Sequence, residues 1–396
     1  MTLGPTGSGK SRGCAIPALL SHTGPAVVVD VKGELYHTTS RRRRALGQKV
    51  YKLDPWGLVD GETDALNPLD LLQLPGVDAE EEANVLAKLL AGEDTFERDK
   101  FWINTSQAIN AGIIAYIASD VDEEDRRLSH AREIFAGDFP LTLAQRLDEG
   151  KMSSRLAEDE FKIFLAHPDN TTRPSVQSSA QQHFRLLGTQ AVRKAMDKST
   201  FPLQSLIDHE PLTIYLVIPP HKLASHGSIL RIWLGVLLQA ISRRTSRGKE
   251  STLFLVDEAA TLGSMDPLKQ SITLLRGFGA QVWTFWQDVS QLRCLYPADW
   301  QTIVNNAGVI QLLAPRNYSM AEQYAALVGG ITASEVLAMP ADQQLLITEQ
   351  SRKAVRSLRL DYLKDAEFKG LYDENPLFAC HPADVSTSQP TAPGIQ

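Results

Sequence analysis

The sequence is poor in cysteine. Its three cysteines, Cys14, Cys294 and Cys380, lie far apart and show none of the short spacings that ligate zinc. A disulfide framework of the kind found in small secreted domains needs a much denser set of cysteines. The sequence therefore predicts neither a zinc site nor a disulfide scaffold, and it suits a reducing compartment.

The chain also lacks an excess of positive charge. It carries 40 Lys and Arg against 47 Asp and Glu in 396 residues, which gives a formal net charge of −7 at pH 7. A protein that grips nucleic acid over its whole surface is strongly basic, so any contact with nucleic acid must be local. With 43% hydrophobic and 22% charged residues, the composition is that of an ordinary globular protein, and the length allows two domains.

Long apolar runs are missing as well. A helix that spans a bilayer needs about 20 consecutive apolar residues. The best stretch, residues 229–241, is shorter and is interrupted by Arg231 and Gln239. The N-terminus lacks the charged and then apolar pattern of a signal peptide. The sequence therefore predicts no membrane-spanning segment in this chain.

Short apolar runs rich in β-branched residues are present, and they are separated by stretches with helical spacing. They occupy residues 26–30, 49–53, 213–218, 252–256, 281–285 and 309–313. Such near-continuous apolar runs are typical of strands that are buried on both faces of a parallel sheet. Their alternation with helices predicts an α/β fold with a mostly parallel sheet.

The character of the sequence changes between about residues 78 and 199, where helical spacing dominates and no comparable strand pattern occurs. We therefore predict a nucleotide-binding domain formed by residues 1–74 and 200–380. An inserted all-α domain is predicted at 75–199. The last residues are rich in Pro, Ser and Thr, which predicts a disordered tail over 381–396.

Near its start the chain carries the eight-residue P-loop pattern. It consists of Gly4, Pro5, Thr6, Gly7, Ser8, Gly9, Lys10 and Ser11. The glycines let backbone N–H groups curl around phosphate oxygens without obstruction by a Cβ atom. Lys10 is predicted to reach the β- and γ-phosphates, and the Ser11 hydroxyl is predicted to ligate Mg²⁺. The alternative is a Gly/Ser turn that matches the pattern by chance.

A second motif has the form of a Walker B strand. The apolar run that begins at Thr252 leads directly into Asp257 and Glu258. In open α/β sheets, ligands bind at the carboxyl ends of the strands, so these acids are predicted to lie beside the P-loop. Asp257 would hold Mg²⁺ through its water shell, and Glu258 would polarise the attacking water. The alternative is an exposed strand end whose acids are merely solvated.

Two polar residues near the strand at 281–285 are further candidates. Gln287 follows this strand at the same predicted edge, where it would sense the γ-phosphate or orient water. Arg276 precedes the strand, in the sequence Leu-Leu-Arg-Gly-Phe-Gly. It is predicted to act as an arginine finger toward a neighbouring subunit, and the alternative is that it caps the C-terminus of a helix.

Two other features are not assigned to the site. The four arginines at 41–44 are interpreted as a solvated helix face, with a phosphate-binding patch as the alternative. The aromatic pair Phe101 and Trp102 is interpreted as part of the helical core, with a base-stacking platform as the alternative.

Taken in order, these motifs resemble the VirD4/TraG family of type IV secretion coupling proteins. Three further stretches resemble the same family: Val-Asp-Val-Lys-Gly-Glu-Leu at 29–35, Gln-Asp-Val-Ser-Gln-Leu at 287–292 and Asn-Asn-Ala-Gly at 305–308. The resemblance implies a RecA-like P-loop NTPase domain with an inserted all-α domain, the cofactors ATP and Mg²⁺, and a homo-hexameric ring. Related ring ATPases carry an arginine in the segment that corresponds to Arg276.

The family resemblance also implies the partners and the place of action. Coupling proteins receive relaxase-bound DNA or effector proteins at the cytoplasmic face of the bacterial inner membrane and deliver them to a type IV secretion channel. The family has an N-terminal membrane anchor and a strand before the P-loop, whereas only Met1, Thr2 and Leu3 precede Gly4. We therefore expect an N-terminally truncated chain that by itself would be cytoplasmic.

Two alternative functions share these motifs. A soluble DNA-pumping ATPase of the FtsK/HerA kind has the same Walker pair and ring. A receptor that binds nucleotide without hydrolysing it would use the nucleotide only to order the ring. The stretches at 29–35 and 287–292 favour the secretion family over the DNA pump.

Overall fold

A nine-stranded sheet organises the chain. The computed structural model describes residues 1–92, 100–351 and 353–376. The strands are β1 (Thr2–Leu3), β2 (Ala26–Asp30), β3 (Lys49–Leu53), β4 (Leu212–Val217), β5 (Thr252–Val256), β6 (Ala280–Trp286), β7 (Val309–Leu313), β8 (Gln343–Thr348) and β9 (Val355–Leu358). Their order is β3-β4-β2-β5-β6-β1-β7-β8-β9. All neighbours are parallel except β7 with β8 and β8 with β9, which confirms the α/β prediction.

The six predicted strands are present. Four have the predicted bounds, β4 begins and ends one residue earlier, and β6 is longer by one residue at each end. Strands β1, β8 and β9 were not predicted. β1 has only two residues, and β8 and β9 lie at one side of the sheet, where their polar and apolar residues are mixed.

Helices cover both faces of the sheet and fill the region between β3 and β4. They are α1 (Ile16–Ser21), α2 (Glu34–Ala45), α3 (Ala79–Ala91), α4 (Lys100–Asp120), α5 (His130–Ala136), α6 (Phe139–Asp148), α7 (Arg155–Ala166), α8 (Thr172–His183), α9 (Gln190–Met196), α10 (Gln204–Ile207), α11 (Leu223–His226), α12 (Ser228–Ile241), α13 (Asp266–Leu274), α14 (Val289–Leu295), α15 (Trp300–Asn305), α16 (Tyr318–Val328) and α17 (Ala333–Leu337). Short 3-10 helices lie at Pro68–Gln73, Glu123–Asp125, Arg185–Gly188, Pro220–Lys222, Ala259–Leu262, Leu275–Phe278 and Ala366–Phe368.

Helix α12 joins the helical region to the sheet. Its side chains share one buried apolar cluster with Leu86 of α3 and with Val256 of β5. The Trp233 indole N–H of α12 donates to the carbonyl of Leu66, 3.2 Å away. Because the core is continuous, the division into domains at 75–199 stays a prediction. The predicted tail at 381–396 and Cys380 lie outside the described residues.

The interpretation of the arginine run as a solvated helix face is wrong for Arg43. This residue of α2 is fully buried, and its guanidinium donates to the Thr213 hydroxyl at 2.9 Å and to the Gln48 side-chain oxygen at 2.7 Å. It also donates to the carbonyls of Leu19, His22 and Gly24. Burial lowers its pKa to about 10. Arg43 therefore fastens α2 to the sheet.

The aromatic pair in α4 is only partly in the core. Trp102 packs against the main apolar cluster, whereas 48% of Phe101 is exposed. The two rings meet edge to face with their centroids 5.0 Å apart. The interpretation as helical core therefore applies to Trp102 and is wrong for Phe101.

Within the described residues, no single helix is long and apolar enough to cross a membrane. Residues Pro220–His226 and Ser228–Ile241 reach that length and apolarity only together, and they are bent by 78° relative to each other. Cys14 and Cys294 are both free, and Cys14 is buried.

Candidate functional site

Strand β1 carries the P-loop into the middle of the sheet. Thr2 and Leu3 pair with β6 on one side and with β7 on the other. The backbone N–H of Gly4 continues the ladder by donating to the carbonyl of Trp286 at 3.0 Å. Gly7 and Gly9 have φ angles of +76° and +82°, which lie in the left-handed region that favours glycine. The loop therefore needs glycine at both positions.

The Lys10 side chain lies between the backbone of the P-loop and the acids that follow β5. Its Nζ atom donates to the carbonyl of Gly4 at 2.6 Å and to that of Pro5 at 3.3 Å. Burial lowers the pKa of Lys10, and the negative charges of Glu258 and Asp257 oppose this shift. The lysine of the first motif and both acids of the second motif are therefore close enough to interact electrostatically.

Asp257 leaves β5 at the predicted edge of the sheet. Burial, reinforced by the adjacent charge of Glu258, raises its pKa to about 6. Ser11 follows Lys10 and begins a π-helical turn, Ser11–Ala15, that leads into α1. Hydroxyl and carboxylate oxygens suit Mg²⁺, which usually keeps several water ligands. Among the described residues there is no cluster of three or more His, Cys, Asp or Glu.

Glu258 has an unusual backbone conformation. Its φ and ψ angles are 53° and 54°, in the left-handed region that non-glycine residues rarely adopt. This conformation costs of order 1–3 kcal/mol and is frequent at active sites. The Gln287 side-chain amide donates to Glu258 Oε1 at 2.6 Å. The structure therefore brings Gln287 into contact with Glu258 at the carboxyl edge of the sheet, and the roles of both residues stay predictions.

The stretch that follows Gln287 fixes the orientation of this glutamine. Asp288 Oδ1 accepts a hydrogen bond from the backbone N–H of Gln291 at 3.0 Å, which caps α14. In return, the Gln291 side-chain oxygen accepts from the backbone N–H of Gln287 at 2.8 Å. The polar residues of this segment thus hold one another at the end of β6.

Asp30 is a site residue that sequence reasoning did not select. It ends β2, next to β5, and is buried. Its carboxylate accepts from the backbone N–H of Tyr36 at 2.8 Å and from that of Lys32 at 3.3 Å. Burial, with a further contribution from the charge of Asp257, raises its pKa to about 7. The available signal was its position at the carboxyl end of a predicted strand.

Arg276 lies far from its own P-loop. It occupies the turn after α13 and borders a cavity of about 700 Å³ together with Ala280 and Val309, the first residues of β6 and β7. This is the amino edge of the parallel strands, opposite the edge that carries the P-loop. The guanidinium is exposed and pairs with Glu349 at 2.8 Å. The structure therefore does not bring Arg276 to the other predicted site residues of the same chain.

Comparison with known proteins places this arrangement in a family. The family model described as "Type IV secretory system Conjugative DNA transfer" matches residues 1–336. The chain belongs to this family. Among its relatives, TraG of Escherichia coli is 26% identical over 357 residues, which cover 84% of the chain and 55% of TraG. VirD4 of Rhizobium radiobacter is 26% identical over 385 residues, which cover 92% of the chain and 54% of VirD4.

The chain thus spans about half the length of the curated relatives it matches. Its fold is similar to that of solved family structures. The plasmid coupling protein TrwB, solved with a non-hydrolysable ATP analogue, matches with a TM-score of 0.70 at 16% identity. The match covers 94% of the chain and 87% of TrwB. The fold is therefore the RecA-like P-loop NTPase fold that the resemblance implied.

Proposed function

We propose that this chain is the motor part of a type IV secretion coupling ATPase. It binds ATP with Mg²⁺, hydrolyses the nucleotide, and uses the energy to deliver DNA-relaxase complexes or effector proteins to a secretion channel at the cytoplasmic face of the inner membrane. The observation that carries the proposal is the contact between Gln287 and Glu258 at 2.6 Å, beside the acid that follows β5 and next to the P-loop. This constellation suits the hydrolysis of a γ-phosphate.

The relatives support the nucleotide and the task. TrwB structures contain the ATP analogue ADPNP in one case, and ADP with Mg²⁺ in another. TraG is named as a conjugal transfer protein, and a Bartonella henselae VirD4 is named as a type IV secretion system-coupling protein. These names fit a chain whose P-loop, acidic strand end and glutamine meet at one edge of the sheet.

Each residue has a separate role in the proposed reaction. The N–H groups of residues 4–11 and the Lys10 ammonium neutralise the charge of the phosphates. Ser11 and Asp257 would hold Mg²⁺, which when bound stabilises the charge that develops on the β- and γ-phosphate oxygens. Glu258 accepts a proton from the attacking water, and the Gln287 amide fixes the carboxylate that does so.

The proposed assembly is a homo-hexameric ring in which Arg276 completes the site of the neighbouring subunit. Its location at the opposite edge of its own sheet excludes a role in its own site, but it leaves the guanidinium exposed to a neighbour. The ion pair with Glu349 lies at the surface, where such pairs contribute little to stability. Exchange of this pair for a phosphate contact is therefore energetically cheap.

Two variants test the proposal, with ATP turnover and nucleotide affinity measured on the same protein. Lys10→Ala should abolish both turnover and tight binding. Glu258→Gln keeps the shape of the side chain but removes the base, so it should bind ATP and lose turnover at least about 100-fold. If wild-type protein binds nucleotide tightly and never turns over, with or without DNA, it is a receptor and the motor proposal is wrong. Turnover stimulated by DNA alone, without response to any secretion substrate, would favour the DNA-pump alternative.

A further inference from the structure

Two arginines outside all of the sequence motifs contact the P-loop. Arg316 follows β7, and its guanidinium donates a hydrogen bond to the carbonyl of Thr6. Arg359 follows β9, and its guanidinium donates to the carbonyl of Ser8. One arginine thus reaches the loop from each of two different strands, and Arg359 lies beyond the residues 1–336 that match the family.

The contacts are close because the loop lacks side chains where the arginines approach. A Cβ atom on Gly9 would lie 3.2 Å from the Arg359 guanidinium, and one on Gly13 would lie 2.7 Å from Arg359 Cδ. A Cβ on Gly7 would lie 3.1 Å from a terminal nitrogen of Arg316. Gly7 and Gly9 of the P-loop, and Gly13 just after it, therefore make room for the two guanidinium groups.

Arg359 is held in place by the residues around it. Its backbone N–H donates to the carbonyl of Asp342 at 2.8 Å. Two residues later, both carboxylate oxygens of Asp361 accept from the Arg12 guanidinium, at 2.6 and 2.7 Å. The segment after β9 is therefore fastened both to the sheet and to the first turn after the P-loop.

The geometry of a peptide bond links these contacts to phosphate binding. In a trans peptide the C=O and the N–H of the following residue point in opposite directions. An arginine that fixes the carbonyl of Ser8 therefore aims the Gly9 N–H away from itself, and Arg316 does the same for the Gly7 N–H through Thr6. A guanidinium remains charged at all physiological pH values, and it also polarises the peptide to which it donates.

We propose that Arg316 and Arg359 are positioning residues of the nucleotide site in their own chain. They hold the carbonyl side of the P-loop so that its N–H groups converge on the phosphates of a nucleoside triphosphate, and they add positive charge there. This inference rests on the proposed nucleotide binding. It makes the hairpin of β8 and β9 part of the site, because Arg359 transmits the position of β9 to the loop.

The test measures the affinity of the protein for a non-hydrolysed ATP analogue with Mg²⁺ by calorimetry, at two or more salt concentrations. Arg359→Ala and Arg316→Ala should each weaken binding about tenfold or more and reduce its salt dependence. Arg359→Lys keeps the charge, so it should retain the salt dependence. Arg359→Gln keeps a donor amide without the charge, so it should reduce the salt dependence as Arg359→Ala does. The matched control is Arg173→Ala, because Arg173 also donates to backbone carbonyls, those of Leu165 and His167, but lies in the helical region.

Melting temperatures measured without nucleotide separate folding from binding. Equal affinity and equal salt dependence in wild type and Arg359→Ala, with both proteins folded, would overturn the inference and leave the proposed function intact. A lower melting temperature with unchanged affinity would give these arginines a purely structural role, which also contradicts the proposal. Failure of folded wild-type protein to bind the analogue would overturn the proposed function itself.

Discussion

At the scale of single residues, the acidic end of β5 lowers the stability of the fold. Asp257 is buried next to Glu258, and its pKa is raised from 3.8 to about 6. A carboxyl with a raised folded pKa favours its protonated form, so its ionised form costs stability at neutral pH. This cost is fully present above pH 6 and is relieved as the pH falls toward 4. The site thus holds a charge whose burial is unfavourable for the fold and useful for binding a cation.

Asp257→Asn should therefore stabilise the protein in a pH-dependent way. With EDTA present to exclude divalent cations, the variant should exceed wild type by about 2–3 kcal/mol in urea unfolding at pH 8. The difference should fall to roughly half of this value at pH 5 and to near zero only below about pH 4, where the carboxyl is protonated in the unfolded chain as well. The exposed Asp169→Asn serves as the control and should show no such trend. A gain that is equal at all of these pH values would mean that ionisation of Asp257 is not its cause.

The sequence predicted those site residues whose chemical type and position in the site both follow from one local motif. The P-loop and the acids after β5 are of this kind. Asp30 was not selected, although it ends a predicted strand, because its closeness to Asp257 depends on β2 lying next to β5. Arg316 and Arg359 were not predicted, because their contacts join residues more than 300 positions apart.

At the scale of elements, the arginine run shows why a helix pattern can mislead. Four consecutive residues of a helix point in directions about 100° apart, so together they cover every face of it. In α2 one of the four must therefore face the sheet, and this residue is Arg43. Its buried guanidinium is matched by oxygens from several elements, including those of Thr213 and Gln48. A composition rule that assigns all four to solvent cannot identify it.

Arg43→Ala should consequently destabilise the protein by about 3 kcal/mol or more, because several buried acceptors lose their donor at once. Arg41→Ala is a matched control from the same helix, since Arg41 is exposed and pairs with Asp373 at 2.6 Å. It should cost about 0–1 kcal/mol. Both values come from urea unfolding at pH 7. Equal losses in the two variants would show that the buried contacts of Arg43 do not anchor α2.

At the scale of the whole molecule, the position of Arg276 leads to a prediction about mixed assemblies. Arg276→Ala protein has an intact P-loop and lacks the finger, whereas Lys10→Ala protein has the finger and lacks a working P-loop. Each variant alone should turn over ATP at least about 1000-fold more slowly than wild type. Rings that contain both should recover part of the activity, because an intact P-loop then meets an intact finger at some interfaces.

Turnover is measured on defined mixtures after native mass spectrometry has verified that mixed rings form. Glu349→Ala provides the control, since it frees Arg276 from its ion pair without removing it and should leave turnover in place. Mixed rings as inactive as their parents would mean that Arg276 does not act between subunits. Its role would then be limited to the end of α13 and the ion pair with Glu349.

The position of β1 between β6 and β7 affects when the protein can first bind nucleotide during its synthesis. The P-loop strand leaves the ribosome well before its partners β6 and β7, which are translated roughly 280 to 310 residues later. At about 5–20 residues per second this interval is tens of seconds. Throughout that time the loop has no sheet to hold it. The nascent chain should therefore acquire affinity for nucleotide late and abruptly, when β7 emerges and β1 inserts between its two neighbours.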